Sequence, residues 1–221
     1  MKNFLLFCAF VSLSSTSIVG CSQPQNTELE SKVEPKIEPK IEPQATLQTA
    51  VFAGGCFWCI EADFEKLEGV DSVVSGYTGG AAETANYKEV TYKETGHYEA
   101  VEVRYNENIV SYSELVEYFW RHIDPTNPRG QFCDSGSSYL SAIFYANKEE
   151  QKIVAESLKR LQANKPFEDP IVTDIKAATP FYLAESYHQD YYKKNPLRYN
   201  LYRNGCGRDK RVEQLWGKTE K

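Results

Sequence analysis

Proline recurs at every fourth position in Val33-Glu34-Pro35-Lys36-Ile37-Glu38-Pro39-Lys40-Ile41-Glu42-Pro43. Each proline ring fixes φ and removes an amide donor, so neither a helix nor a sheet ladder can run through this stretch. It reads as an extended, semi-rigid spacer, with recognition by a polyproline-binding partner as the alternative. A folded domain must therefore begin after it. Setting residues 1–48 aside leaves 173 of the 221 residues, enough for one domain with a sizeable core.

Ahead of the spacer, Lys2 and the apolar residues 4–13 have the proportions of an export signal. Ile18-Val19-Gly20-Cys21 follows and resembles a bacterial lipobox, in which the cysteine is acylated and becomes the first mature residue. An ordinary export signal with Cys21 incidental is the alternative. We expect 1–20 to be a lipoprotein signal, 21–48 a lipid-anchored linker and 49–221 the catalytic domain, held on the extracytoplasmic side of a membrane. Several acyl chains suffice for stable anchoring, and no apolar run reaches the roughly 18 residues of a spanning helix. With 25 Lys and Arg against 31 Asp and Glu, the net charge of −6 argues against a nucleic-acid partner.

Within the domain, residues 51–53 read as a buried strand stopped by Gly54-Gly55, followed by a helix over 57–67 and a strand over 70–77. Residues 98–105 alternate strictly, with Val101, Val103 and Tyr105 on one face. Ser111 and Glu114 fit a capping box opening a helix that Asp124-Pro125 ends. Further strands are expected at 139–145 and 171–175, and helices at 147–162 and 184–194. From residue 195 the glycine-containing tail reads as irregular. Helices and strands interleave without a regular βαβ repeat, which predicts an α+β domain with a mixed sheet and flanking helices.

Four cysteines fall in the domain: Cys56, Cys59, Cys133 and Cys206. Zinc, structural disulfides and thiol redox chemistry compete for them. A four-cysteine zinc site usually has two close-spaced pairs, whereas 73 positions separate Cys133 from Cys206. A core of this size does not need disulfides. Cys56 follows a strand and a Gly-Gly turn at a helix start, where unpaired amides favour thiolate. Phe57 and Trp58 offer it an apolar wall, although two aromatics on a first helical turn are more often core. Glu99 shares the apolar face of Val101, Val103 and Tyr105. Burial there would raise its pKa and leave it protonated, able to act as a general acid; a solvated position at the strand end is the alternative.

Gly-Gly-Cys-Phe-Trp-Cys at 54–59 resembles the signature of the peptide methionine sulfoxide reductase A family, the S-epimer enzymes. The resemblance continues through Gly76-Tyr77-Thr78-Gly79-Gly80, Asn86-Tyr87-Lys88-Glu89-Val90 and Thr95-Gly96-His97-Tyr98-Glu99-Ala100. It then takes in Asp124-Pro125-Thr126, Asp134-Ser135-Gly136 with Tyr139, and Ala184-Glu185 with His188-Gln189, in order over about residues 50–217. It implies a single α+β domain of two ferredoxin-like layers. It also implies Cys56 as the nucleophile and Glu99 as proton donor to the sulfoxide oxygen, with Tyr87 and Tyr139 bonding that oxygen. Phe57 and Trp58 would hold the methyl group, and Asp134 and His188 would support the site.

Cys56 would become a sulfenic acid that condenses with a second thiol, and a thioredoxin-like reductant would reopen the disulfide. Cys59, three residues away, and Cys206, in the glycine-containing tail, are equal candidates for the resolving thiol. Cys133 reads as a packed small hydrophobe, with a third redox role as the alternative. Oxidised proteins, peptides or free methionine sulfoxide are the implied substrates, with no metal or organic cofactor and a monomeric chain. Two other classes remain: a thioredoxin-type disulfide oxidoreductase using Cys56 and Cys59, and a lipid-anchored binding module using Phe57 and Trp58. Only the sulfoxide chemistry requires Glu99, Tyr87 and Tyr139.

Overall fold

The computed structural model describes residues 47–218; the signal, Cys21 and the proline repeat lie outside them. In chain order, β1 (Leu47–Gly54) leads to α1 (Phe57–Phe64), β2 (Val70–Thr78), α2 (Tyr87–Tyr92), β3 (Tyr98–Asn106) and α3 (Tyr112–Trp120). The short hairpin β4 (Gly130–Gln131) and β5 (Asp134–Ser135) follows, then β6 (Ser141–Tyr145) and α4 (Lys148–Asn164). The chain ends with β7 (Asp174–Ala177), β8 (Phe181–Leu183), α5 (Tyr191–Lys194), α6 (Pro196–Gly205) and α7 (Arg208–Trp216).

The main sheet has the order β7-β6-β1-β3-β2-β8, with β6 and β7 parallel and the other neighbours antiparallel. Its inner four strands, with α1 and α3 as crossovers, form the βαββαβ arrangement of ferredoxin-like folds, so the expected mixed α+β architecture holds. Alternation decides the faces. Phe52, Val101, Val103 and Ile143 pack with Phe57, Ile60, Phe64, Leu115 and Phe119 in one core. The opposite face carries smaller side chains, Ala53, Ala100 and Ala142, beside Tyr98 and Phe144. The capping box of α3 is present: Ser111 Oγ accepts from the Glu114 amide and the Glu114 carboxylate accepts from the Ser111 amide.

Several local expectations change. β1 begins at Leu47, inside the segment assigned to the linker, because β3 is long enough to pair Leu47 with Asn106. Tyr139 sits in a 3-10 turn after Gly136, and β6 starts two residues later, at Ser141. The late strand falls at Asp174–Ala177, where it pairs with β6. Of the helix expected over 184–194 only α5 forms. The chain before it serves β2 instead: the Gln189 side chain accepts from the Ser75 amide at 2.9 Å and donates to the Ser75 carbonyl at 2.8 Å.

The larger correction concerns the tail, which is helical. Pro196 occupies the first turn of α6, and Gly207 makes the joint to α7 in the left-handed region, at φ +66°. The helices turn Tyr199, Leu215 and Trp216 inward, and arginines add to the hold. Arg203 reaches Asp63 Oδ1 at 3.0 Å, and the fully buried Arg208 donates to the carbonyls of Gly54 at 3.2 Å and His122 at 2.9 Å. Arg208 Nε lies 3.7 Å from Asp63 Oδ2, and Arg211 bonds Asp124 at 2.7 Å. Such long-range ion pairs leave no periodic signature in sequence. Replacing Arg208 with Met strands buried carbonyls and part of the Asp63 charge, so the chain should lose about 3 kcal/mol of stability. A fall in the urea midpoint at unchanged slope is expected; an unchanged midpoint would show that the buried guanidinium contributes nothing.

Candidate active site

The chain leaves β1 through Gly55, at φ +81°, where an added Cβ would stand 2.5 Å from the Gln131 Cβ. Only glycine lets the turn close against that side chain, and the turn delivers Cys56 to the N-cap of α1. The Cys56 carbonyl accepts from the Cys59 amide at 3.1 Å, so the two thiols stand one turn apart on one short helix. Both are buried and free.

The helix start does not win control of Cys56. Burial pushes its thiol well up, and the adjacent Cys59 and the Glu99 charge push further. Cys59 is pulled down to about 7 by its hydrogen bond to Cys56, against burial, with Arg208 and Arg203 adding to the pull.

Glu99 stands opposite Tyr77 in the β2–β3 register and is 2% exposed. Its Oε2 accepts from the Phe57 amide at 3.2 Å, on the first turn of α1. Burial pushes its carboxyl up to about 8; the Phe57 amide and Tyr139 hydroxyl oppose this, while the Asp134 charge reinforces it. Near neutral pH the carboxyl therefore keeps its proton, in line with the buried of the two readings the alternation leaves open.

Cys56, Phe57, Trp58, Tyr87, Glu99, Asp134, Tyr139 and Tyr202 enclose a pocket of about 80 Å³. Sequence reasoning names all of these except Tyr202. His188 stands behind them: the Trp58 indole donates to its Nδ1 at 3.1 Å, which places the ring proton on Nε2, and burial holds the imidazole neutral. Trp58 also stacks flat on Tyr191, with centroids 3.7 Å apart. Glu185, quoted in the motif but given no role, fixes two tyrosines by accepting from the Tyr77 hydroxyl and the Tyr87 amide, each at 2.9 Å. A larger cleft of about 620 Å³, lined by Asp63, Tyr118, Arg203 and other polar side chains, contains no thiol.

The remaining cysteines depart from expectation. Cys133 is exposed, not packed, and forms a disulfide with Cys206. Its neighbours in the hairpin take the inward positions, Gln131 fully buried and Asp134 in the pocket wall. With Asp134 these two sulfurs would make a metal-ligand set within 4.8 Å, but the disulfide uses both thiols.

Glu99→Gln tests the electrostatics directly. The folded chain holds this proton between the ordinary carboxylate value of 4.5 and about 8, whereas the unfolded chain releases it, so wild-type stability falls as pH rises through that window. The glutamine variant should escape the loss and be the more stable protein at neutral pH by a few kcal/mol, with the difference shrinking toward pH 4.5. It should also move Cys56 alkylation to lower pH, since a neighbouring negative charge is gone. Coincident stability curves and alkylation profiles would contradict both expectations.

A family model described as peptide methionine sulfoxide reductase matches residues 48–220. The Bacillus subtilis protein named peptide methionine sulfoxide reductase MsrA is 49% identical over 170 residues, 77% of this chain and 96% of that protein. Among solved structures, methionine sulfoxide reductase A of Corynebacterium diphtheriae superposes with a TM-score of 0.60 at 31% identity, over 70% of this chain and 77% of that one. Reduced Mxr1 of Saccharomyces cerevisiae gives 0.64 at 30% identity, over 68% and 86%. Agreement along nearly the whole described domain, in sequence and in fold, means that this chain belongs to the peptide methionine sulfoxide reductase family.

Proposed function

We propose that this chain reduces methionine S-sulfoxide, in proteins, peptides or free, to methionine. One observation carries the reading: a nucleophilic thiol and a buried, protonated carboxyl share one small, aromatic-walled pocket. Its volume of about 80 Å³ suits a group of a few heavy atoms such as a methyl sulfoxide. Phe57 and Trp58 supply the apolar wall for the methyl group, and the hydroxyls of Tyr87 and Tyr139 are the donors for the oxygen.

A sulfoxide oxygen leaves poorly until protonated, so Glu99 gives it a proton and takes up the one Cys56 surrenders. The Cys56 sulfur then bonds the substrate sulfur, the S–O bond breaks with its hydroxyl passing to the Cys56 sulfur, and the new S–S bond opens with its electron pair leaving on methionine, so that Cys56 is left as a sulfenic acid. A high thiol pKa is no handicap in this scheme, because proton exchange with Glu99 forms the thiolate only when substrate is bound.

Cys59 is the resolving thiol in this reading. It is adjacent, free and the readier of the pair to ionise, whereas Cys206 is already bonded to Cys133. Attack of Cys59 on the sulfenic acid expels water and forms the Cys56–Cys59 disulfide, and a thioredoxin-like dithiol returns it to two thiols. A plain disulfide oxidoreductase would have no use for Glu99, Tyr87 and Tyr139 around Cys56.

Acylation of Cys21 would tether the domain outside the cytoplasm through the proline spacer. Met1 is the only methionine, so a chain processed at Cys21 would have none of its own to oxidise. The purified domain should consume the S epimer of a methionine sulfoxide peptide and leave the R epimer. Without reductant, Cys59→Ser should form one methionine and stop at the Cys56 sulfenic acid, while Cys206→Ser should proceed to a disulfide. The opposite pattern would make Cys206 the resolving thiol. In the intact chain, Cys21→Ser should move the protein from the detergent phase to the aqueous phase; retention in detergent would refute acylation.

A further inference from the structure

Tyr202 lies outside every motif that carries the family resemblance, yet it forms part of the pocket wall. Its hydroxyl donates to Asp134 Oδ2 at 2.5 Å, and its ring meets Trp58 edge-on with centroids 5.8 Å apart. Burial keeps the phenol neutral, so it acts as a donor. The two partners of this hydrogen bond are also joined covalently. Cys133 directly precedes Asp134, and Cys206 follows Tyr202 by one helical turn, its amide donating to the Tyr202 carbonyl at 2.9 Å. A bond between residues 73 apart thus closes a small ring through the Tyr202–Asp134 contact.

We propose that Tyr202, held in place by the Cys133–Cys206 disulfide, is a positioning residue for the reaction: its hydroxyl keeps the negative charge on Asp134 and thereby the proton on Glu99. This rests on Glu99 being the acid. Two carboxyl groups in one small pocket resist ionising together, and the donors offered to each decide which is charged. Burial pushes the Asp134 carboxyl up, but the Tyr202 hydroxyl and the Arg208 guanidinium oppose it, both favouring carboxylate. Glu99 faces the Phe57 amide, the hydroxyls of Tyr77, Tyr87 and Tyr139, the thiols of Cys56 and Cys59, and Asp134 itself, with no cation among them. The charge settles on Asp134, and the proton stays where a sulfoxide oxygen can receive it. A dithiol that passes two electrons and two protons to Cys133 and Cys206, becoming a disulfide itself, opens the ring and loosens this division.

The test compares wild type, Tyr202→Phe, Asp134→Asn, their double variant and the paired Cys133→Ser/Cys206→Ser variant. Single-turnover methionine formation is followed into alkaline pH, alongside an infrared titration of the protonated-carboxyl band assigned by its loss in Glu99→Gln. Tyr202→Phe should move both the alkaline limb and the band midpoint down by about half a pH unit or more. Asp134→Asn should do the same, the double variant should move no further than Asp134→Asn alone, and the serine pair should shift in the same direction by less. An unmoved limb and band in Tyr202→Phe overturn the proposal, as does a double variant whose shifts simply add. An unmoved serine pair overturns the role given to the disulfide. Failure of wild type to consume the S epimer would count against the sulfoxide reading, and the infrared titration would still judge this one.

Discussion

Removing a charged carboxylate from water costs several kcal/mol even after the surroundings relax, and the site is arranged around avoiding that cost at Glu99. β3 carries Glu99 on the face that packs against α1, and the adjacent Phe57 amide is its one backbone donor in the described structure. The Phe57 amide and the Tyr139 hydroxyl together are too little to hold a carboxylate there against burial, so the group stays protonated. That single outcome reconciles features that otherwise conflict. A neutral acid does not repel the neighbouring thiol, can be enclosed by Phe57 and the tyrosines without a counter-ion, and is poised to give a proton to an oxygen. The same enclosure raises Cys56, so neither partner of the proton exchange is spent before substrate arrives.

What sequence makes legible here is what local chemistry and period determine. The alternation of β3 identifies Glu99 as misplaced on an apolar face, the Gly-Gly turn puts Cys56 at a helix start, and the Ser111–Glu114 spacing marks the start of α3. Each depends on residues within a few positions of one another. The failures share the opposite property. The tail looks irregular because its glycines and many polar residues mask the few inward side chains, Tyr199, Leu215 and Trp216, and because Asp63, the partner of Arg203 and Arg208, lies about 140 residues back in sequence. Cys133 looks like filler because its partner is 73 residues away. Tyr202 looks like one tyrosine among many until the fold brings it to Asp134. The helix expected over 184–194 fails because Gln189 is drawn off to the backbone of β2, a competitor that no local propensity reveals.

The C-terminal helices therefore belong to the site as much as to the scaffold. Their ion pairs alone would be a weak attachment, since a partly exposed pair such as Arg211–Asp124 contributes little. Burial of Arg208 and the disulfide make the attachment firm. Closing a loop of 73 residues removes unfolded-state freedom worth about 4 kcal/mol in the chain-entropy account. Arg203 and Arg208 also lower Cys59, and Tyr202 completes the pocket over Cys56. Thiol reactivity at α1 is thus set by residues that arrive last in the chain, and weakening the dock of the tail alters chemistry and stability together. A bare sheet with α1 would hold the two cysteines and Glu99 but lack the two guanidiniums that add to the lowering of Cys59. The tail supplies that addition through arginines whose partner Asp63 lies about 140 positions back, and that distance is the same property that hides it in the sequence.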